Sequence, residues 1–142
     1  MRRTPMNGAI ALHGEICKAM IAHARFVYPE EACGLLAGPR GGEVRMAYCL
    51  SNRDRSPYRF TLDPTEHFRA MQHARRNGWD VLGLFHSHPR SAPFPSSTDV
   101  AGALDPDWVY VVVGLEDERA SVRAYAIRDG AVRELPIREE EL

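Results

Sequence analysis

The 142-residue sequence predicts an α/β fold, a single-domain α/β/α sandwich built around a mixed β-sheet. Three observations carry that expectation. Helical and extended hydrophobic periods alternate along the chain; Val81–Phe85 and Trp108–Val113 are apolar on both alternating faces, as central strands are; and the chain closes on a hairpin signature at Asp129-Gly130. A chain of this length buries a continuous core without disulfides or structural metals to staple it.

The elements follow in order. From Glu15 to Tyr28, Ile16, Met20 and Val27 fall on one helical face with Cys17, Ile21 and Ala24 beside them, and Pro29 stops the helix. Glu31 to Gly38 is a short apolar run opened by acids and closed by Pro39, a buried strand and turn, with Val44 to Leu50 as its partner strand. Ser51 to Pro57 is a polar loop, after which Tyr58, Phe60 and Leu62 alternate as a half-buried strand. Asp63 then caps a helix with Pro64 at its first position and Glu66 completing a capping-box pattern; Phe68, Met71 and Ala74 are its expected inward face and Gly78 its end. Val81–Phe85 and Trp108–Val113 supply the central strands, and Val122–Ile127 pairs with Val132–Ile137 across the Asp129-Gly130 turn. Residues 1–8 are expected to be disordered and 9–142 to form the domain.

Composition narrows the function classes. With 44% hydrophobic and 26% charged residues and a formal net charge of -1, the chain has no bulk field for nucleic acid or an anionic membrane. Cys17, Cys33 and Cys49 are odd in number and share no CxxC spacing, and Ala9–Leu12 is too short for a signal-peptide core or a membrane span. A reducing, cytoplasmic setting is the expectation. The sequence leaves the oligomeric state open, a homo-oligomer included.

The chemistry concentrates at the end of the first central strand. His86-Ser87-His88-Pro89 is followed, after a Pro/Ser loop, by Ser96-Ser97-Thr98-Asp99. Residues two apart on a strand point to one side, so His86 and His88 can aim at a common ion while Ser87 faces away. Taken alone, an HxH is two polar residues at a strand end, and Ser96 with Asp99 is an ordinary helix cap. Together they offer two imidazoles and a carboxylate, a set that suits Zn²⁺ and leaves a fourth coordination position for water. Such a site needs a carboxylate to move the proton. Glu30 and Glu31, at the head of the strand that carries Gly34, are the two candidates.

Glu31-x-Cys33-Gly34 followed by His86-x-His88, seven residues, Ser96, two residues and Asp99 resembles the full motif of the JAMM, or MPN-plus, zinc metalloproteases. The resemblance implies an MPN, cytidine-deaminase-like sandwich over nearly the whole chain, with His86, His88 and Asp99 as ligands of one Zn²⁺. It makes Glu31 the general base, assigns Ser96 to stabilising the tetrahedral intermediate and leaves Glu30 without a role. Its length and the Pro29-Glu30-Glu31-Ala32-Cys33-Gly34 and Phe94-Pro95-Ser96 segments are most similar to short bacterial members that process ubiquitin-like sulfur-carrier proteins. The implied activity is a zinc-dependent peptidase that hydrolyses an amide at the Gly-Gly tail of such a carrier, for example releasing cysteine from a carrier–cysteine adduct. The alternatives are a deubiquitinase-like isopeptidase and a non-catalytic MPN scaffold; the former carries insertions that grip ubiquitin, for which this chain has little room. A nucleobase deaminase would need HxE and PCxxC elements, and neither is in the sequence. Cys33 is expected in the core, His13, His23, His67 and His73 as surface or satisfied residues, and Arg53 and Arg55 as candidates for docking the carrier.

Overall fold

A computed structural model of the chain describes residues 10–41 and 43–140; the segment expected to be disordered, residues 1–8, lies outside the described residues. The elements are β1 (Ile10–His13), α1 (Gly14–Val27), β2 (Cys33–Gly38), β3 (Glu43–Val44), β4 (Met46–Leu50), α2 (Pro64–Arg76), β5 (Asp80–His88), α3 (Ser97–Gly102), β6 (Val109–Gly114), β7 (Ser121–Arg128), β8 (Ala131–Leu135) and β9 (Ile137–Glu140). Six strands form one mixed sheet in the order β4-β2-β5-β6-β7-β8, in which only β5 and β6 run parallel, joined through α3. The expected α/β sandwich is the fold observed.

Both faces of this sheet are covered, which is why its central strands are apolar throughout. On one face Met20 and Ala24 of α1 pack with Leu36, Phe85, Val111 and Val113; on the other, Tyr110, Val112, Tyr125 and Ile127 meet Val100 of α3, while Leu35 and Leu50 meet Ala70 of α2. Gly34 makes the first packing possible. A Cβ there would fall 2.3 Å from Phe85 Cε1 and 2.0 Å from the Tyr48 carbonyl oxygen, so any larger residue would drive the β2 strand off its neighbours. The terminal hairpin has the expected turn, with positive φ at both Asp129 (51°) and Gly130 (80°), the backbone a two-residue reversal requires.

Four expectations are corrected. The partner strand expected over Val44–Leu50 divides at Arg45, whose N–H bonds Ala37 O at 2.8 Å: β4 pairs with β2, whereas Glu43 and Val44 turn to pair with β1. The alternating Tyr58, Phe60 and Leu62 do not form a strand; a single bridge joins Asn52 and Leu62, and Tyr58 is 74% exposed. In α2, Phe68 and Met71 point outward, 62% and 45% exposed, because the small Ala70 and Ala74 form the face that approaches the sheet. Finally, the last strand of the hairpin ends at Leu135. Pro136 has no N–H to extend it, and Ile137 opens β9, which runs parallel to β1 and completes a second sheet in the order β3-β1-β9.

Candidate metal centre

Strand β5 carries His86 and His88 out of the sheet centre, and the loop from Pro89 to Pro95 brings α3 back beside them. Ser96 is the N-cap of α3: its Oγ accepts from Asp99 N at 3.1 Å, and Asp99 Oδ2 accepts from Ser96 N at 2.8 Å, a reciprocal capping box. The cap holds the Asp99 carboxylate rigidly at the mouth of the strand. There Oδ2 lies 3.0 Å from both His86 Nε2 and His88 Nε2, which are themselves 3.2 Å apart. All three side chains are buried.

This triangle fits a tetrahedral ion. Ligand atoms about 2.0–2.1 Å from zinc lie about 3.3 Å from one another, close to the three separations observed. The protonation pattern points the same way. His88 Nδ1 donates to Ala92 O at 2.8 Å, which leaves the Nε2 lone pair of a neutral ring facing a carboxylate oxygen. Two lone pairs at 3.0 Å repel unless a proton or a cation sits between them. In the metal-free chain the surroundings favour a proton there: burial opposes the charge on His88, but the bonds to Asp99 and Ala92 outweigh it and raise its pKa. For His86 burial dominates and lowers the pKa, disfavouring the charged imidazole. Burial also opposes the Asp99 charge, yet the bonds from His86, His88 and Ser96 N hold its pKa far below the usual carboxylate range. The Nδ1 of His86 has no hydrogen-bond partner among the described residues. Its ring is instead held by Phe60, stacked on it at 4.9 Å between centroids and 27° between planes.

Glu31 stands just before β2, within electrostatic reach of His88 and Asp99. It is 4% exposed, its Oε1 is buried without a partner among the described residues, and burial pushes its carboxyl up to about 8. Glu30, the other candidate, pairs with Arg55 at 3.3 Å, so the two neighbouring acids have different environments. Cys33 is fully buried with Sγ 3.8 Å from Leu50 O, and burial pushes its thiol up to about 12, the state of an inert core residue. His23 contacts Leu50 O at 3.2 Å, His73 contacts the Tyr48 hydroxyl at 2.7 Å and His13 lies 3.7 Å from Glu43, so these histidines are satisfied away from the cluster.

Two residues that the sequence does not single out tie the parts together. Ser87, between the two histidines, accepts from Ala32 N at 2.7 Å through its buried Oγ and donates its own N–H to Ala32 O at 3.0 Å, riveting the Glu31 segment to the strand of the imidazoles. Asn52 is a buried hub: its Nδ2 donates to Glu31 O at 3.1 Å and Arg59 O at 3.0 Å, and its Oδ1 accepts from Asp54 N and Thr61 N. One amide thereby fixes the backbone of Glu31 and that of the segment carrying Phe60. A lone asparagine in a polar loop gives no sequence signal for this role, because its partners are distant backbone atoms.

Known proteins with the same organisation agree with this architecture. The chain is 37% identical over 130 residues to the CysO-cysteine peptidase of Mycobacterium tuberculosis, covering 90% of this chain and 89% of that one. It is 34% identical over 112 residues to a desampylase of Haloferax volcanii, covering 75% and 81%. A solution structure of a protein from Desulfitobacterium hafniense superposes with a TM-score of 0.86 at 39% identity, covering 94% of each chain. A family profile described as prokaryotic homologs of the JAB domain matches residues 13–127, which include Glu31, His86, His88, Ser96 and Asp99. The chain belongs to this family of prokaryotic JAB-domain homologs.

Proposed function

We propose that the chain is a zinc-dependent peptidase that acts in the cytoplasm and hydrolyses an amide bond at the Gly-Gly tail of a ubiquitin-like sulfur-carrier protein, with residues 9–142 as its catalytic domain. The observation that carries the reading is the meeting of two unlike groups: a preorganised His-His-Asp triangle and, beside it, a buried carboxyl with no partner for Oε1 among the described residues. A buried carboxyl without a partner opposes folding, and both groups are what amide hydrolysis requires. The relative named for cleaving CysO-cysteine supports the choice of carrier substrate.

His86, His88 and Asp99 would hold one zinc ion. When bound, zinc polarises a carbonyl and lowers the pKa of water to about 7. Glu31 takes a proton from the attacking water and passes it to the departing amine. Ser96 spends a lone pair on capping α3, so its hydroxyl hydrogen is available to the oxyanion that develops on the scissile carbonyl. Glycines, lacking side chains, allow the tail to thread closely past these groups.

The test is incubation of the zinc-loaded chain with a carrier adduct ending in Gly-Gly-Cys, with a lysine-linked carrier conjugate and with a ubiquitin conjugate, read by intact mass. Cleavage of the cysteine adduct, abolished by a chelator and by His88→Ala together with loss of bound zinc, is the expected result. Absence of chelator-sensitive cleavage of any of them overturns the reading. Stoichiometric zinc without cleavage would instead favour a scaffold.

A further inference from the structure

We propose that an apolar slot beside His86 and Asp99 binds the residue that departs with the amine, and that it selects a single amino acid with a small apolar side chain and a free α-carboxylate. The proposal rests on the peptidase reading above and specifies its leaving group. The slot has a volume of about 200 Å³ and is walled by Phe60, Leu84, Pro95, Tyr110 and Ile127, with Arg59 also lining it. That volume is below the about 300–1,000 Å³ of pockets that take whole small molecules, so it suits part of a ligand, one side chain.

Its position decides which side chain. The slot is lined by His86 and Asp99 but not by His88 or Glu31, so it lies to one side of the ligand triangle. Hydrolysis breaks the bond between the glycyl carbonyl carbon and nitrogen, adding hydroxyl from water to the carbon and a proton to the nitrogen. On the acyl side the Gly-Gly tail has no side chain to place. The side chain next to the scissile bond belongs to the residue that leaves, and it is the group that we assign to the apolar recess beside His86 and Asp99.

Arg59 defines the second half of the selection. Among the described residues that line the slot it is the one permanently cationic side chain. Its side chain is two-thirds exposed, and its Nε lies 3.7 Å from Asp54 Oδ2, beyond hydrogen-bond length, so it can turn to a carboxylate and grip it through two parallel N–H groups. A free amino acid leaving group presents a carboxylate one carbon from the departing nitrogen. A lysine ε-amine presents only its alkyl stem there. Phe60, fixed through Asn52 and stacked on His86, forms the wall that limits side-chain size.

The experiment uses carrier adducts ending in Gly-Gly-X, with X as Cys, Ala, Leu, Asp or Trp, each as the free acid and as the C-terminal amide, together with a lysine-linked conjugate. We expect kcat/KM for the Cys and Ala acids to exceed that for the matching amides by about tenfold or more, as a charge-assisted contact predicts, with Asp and Trp the poorest of the acids. R59A should bring the acid-to-amide ratio to within about twofold of one, with R59K restoring part of it, and Phe60→Ala should raise the relative rate for Trp. Phe60→Leu gives the same reading if the alanine variant fails to fold. Equal rates for acids and amides, or a ratio unchanged by R59A, overturn the inference and leave the peptidase reading standing. Failure to cleave every adduct overturns both.

Discussion

Glu31 and Asp99 are two buried carboxyls within electrostatic reach of each other, yet the protein treats them in opposite ways. Asp99 sits at the start of a helix, where one backbone N–H and two imidazoles converge on a single oxygen and keep it ionised far into acid. Glu31 sits at the start of a strand, where burial works against its charge and no partner for Oε1 among the described residues offsets it, so its carboxyl rises to about 8. Carboxyls whose environments push their pKa values apart divide into one that holds charge and one that exchanges protons. The difference comes from the number of donors that reach each carboxylate, not from burial.

The contrast can be broken most strongly at Glu31. Glu31→Gln keeps the shape and removes the proton acceptor; kcat should fall by about 10²- to 10⁴-fold while zinc stays at one per chain, measured by turnover and metal analysis. Normal turnover would dismiss Glu31 as the base. Next is Ser96, which serves the cap and, in the proposed mechanism, the developing oxyanion. Ser96→Ala should cost about 1 kcal/mol of stability in urea unfolding and about 10²- to 10³-fold in kcat. Ser96→Asp separates the two, keeping the cap but not the donor, and a variant of normal activity would show that only the cap matters.

Asn52 tests whether the Glu31 side has a support of its own. Asn52→Ala strips donors from Glu31 O and Arg59 O and should destabilise the fold by about 1–3 kcal/mol in urea unfolding, lowering kcat with bound zinc unchanged. Loss of zinc in this variant would mean the two halves are not separately held. The smallest effect is in the pH dependence of the metal-free chain. Glu31 has a folded pKa raised from 4.5 to about 8, so its contribution to stability is full below about 4.5 and lost as pH rises through about 8. Asp99 has a depressed one, so its contribution is full above about 3.8 and lost only as pH falls below that. Urea midpoints of the metal-free protein should therefore fall between pH 5 and 9, and Glu31→Gln should flatten that slope without altering the acid limb.

The same comparison explains what could be read from the sequence. Asp63 and Ser96 both announce helix starts, and both caps form. In α2, however, Glu66 turns from the cap to accept from Ser51 N and Oγ, whereas in α3 Asp99 completes the box and also faces the imidazoles. Local pattern cannot tell these apart; only the convergence of α3 on the end of β5 does, and the spacing of the family motif encodes that convergence. Central strands were legible because burial on both faces leaves a plain apolar run. The outward turn of Phe68 and Met71 was not, since helical period marks an apolar face without saying whether small residues beside it will sit closer to the sheet. Nor was the absence of a strand at Tyr58–Leu62, where a single asparagine side chain claims the backbone groups that a ladder would have used.

Ser87 turns its side chain away from the ligand triangle, and its consequence concerns transplantation. Moving the tripeptide His86-Ser87-His88 onto a strand of another protein would carry over the two proposed metal ligands but not their relation to the proposed base. That relation is set by the hydrogen bonds exchanged with Ala32, one residue from Glu31. A host would need a neighbouring segment with an amide group opposite the middle residue and a buried acid immediately before it. The smallest portable form of this chemistry is therefore a pair of adjoining segments, with the hydroxyl between the histidines setting how far apart they stand.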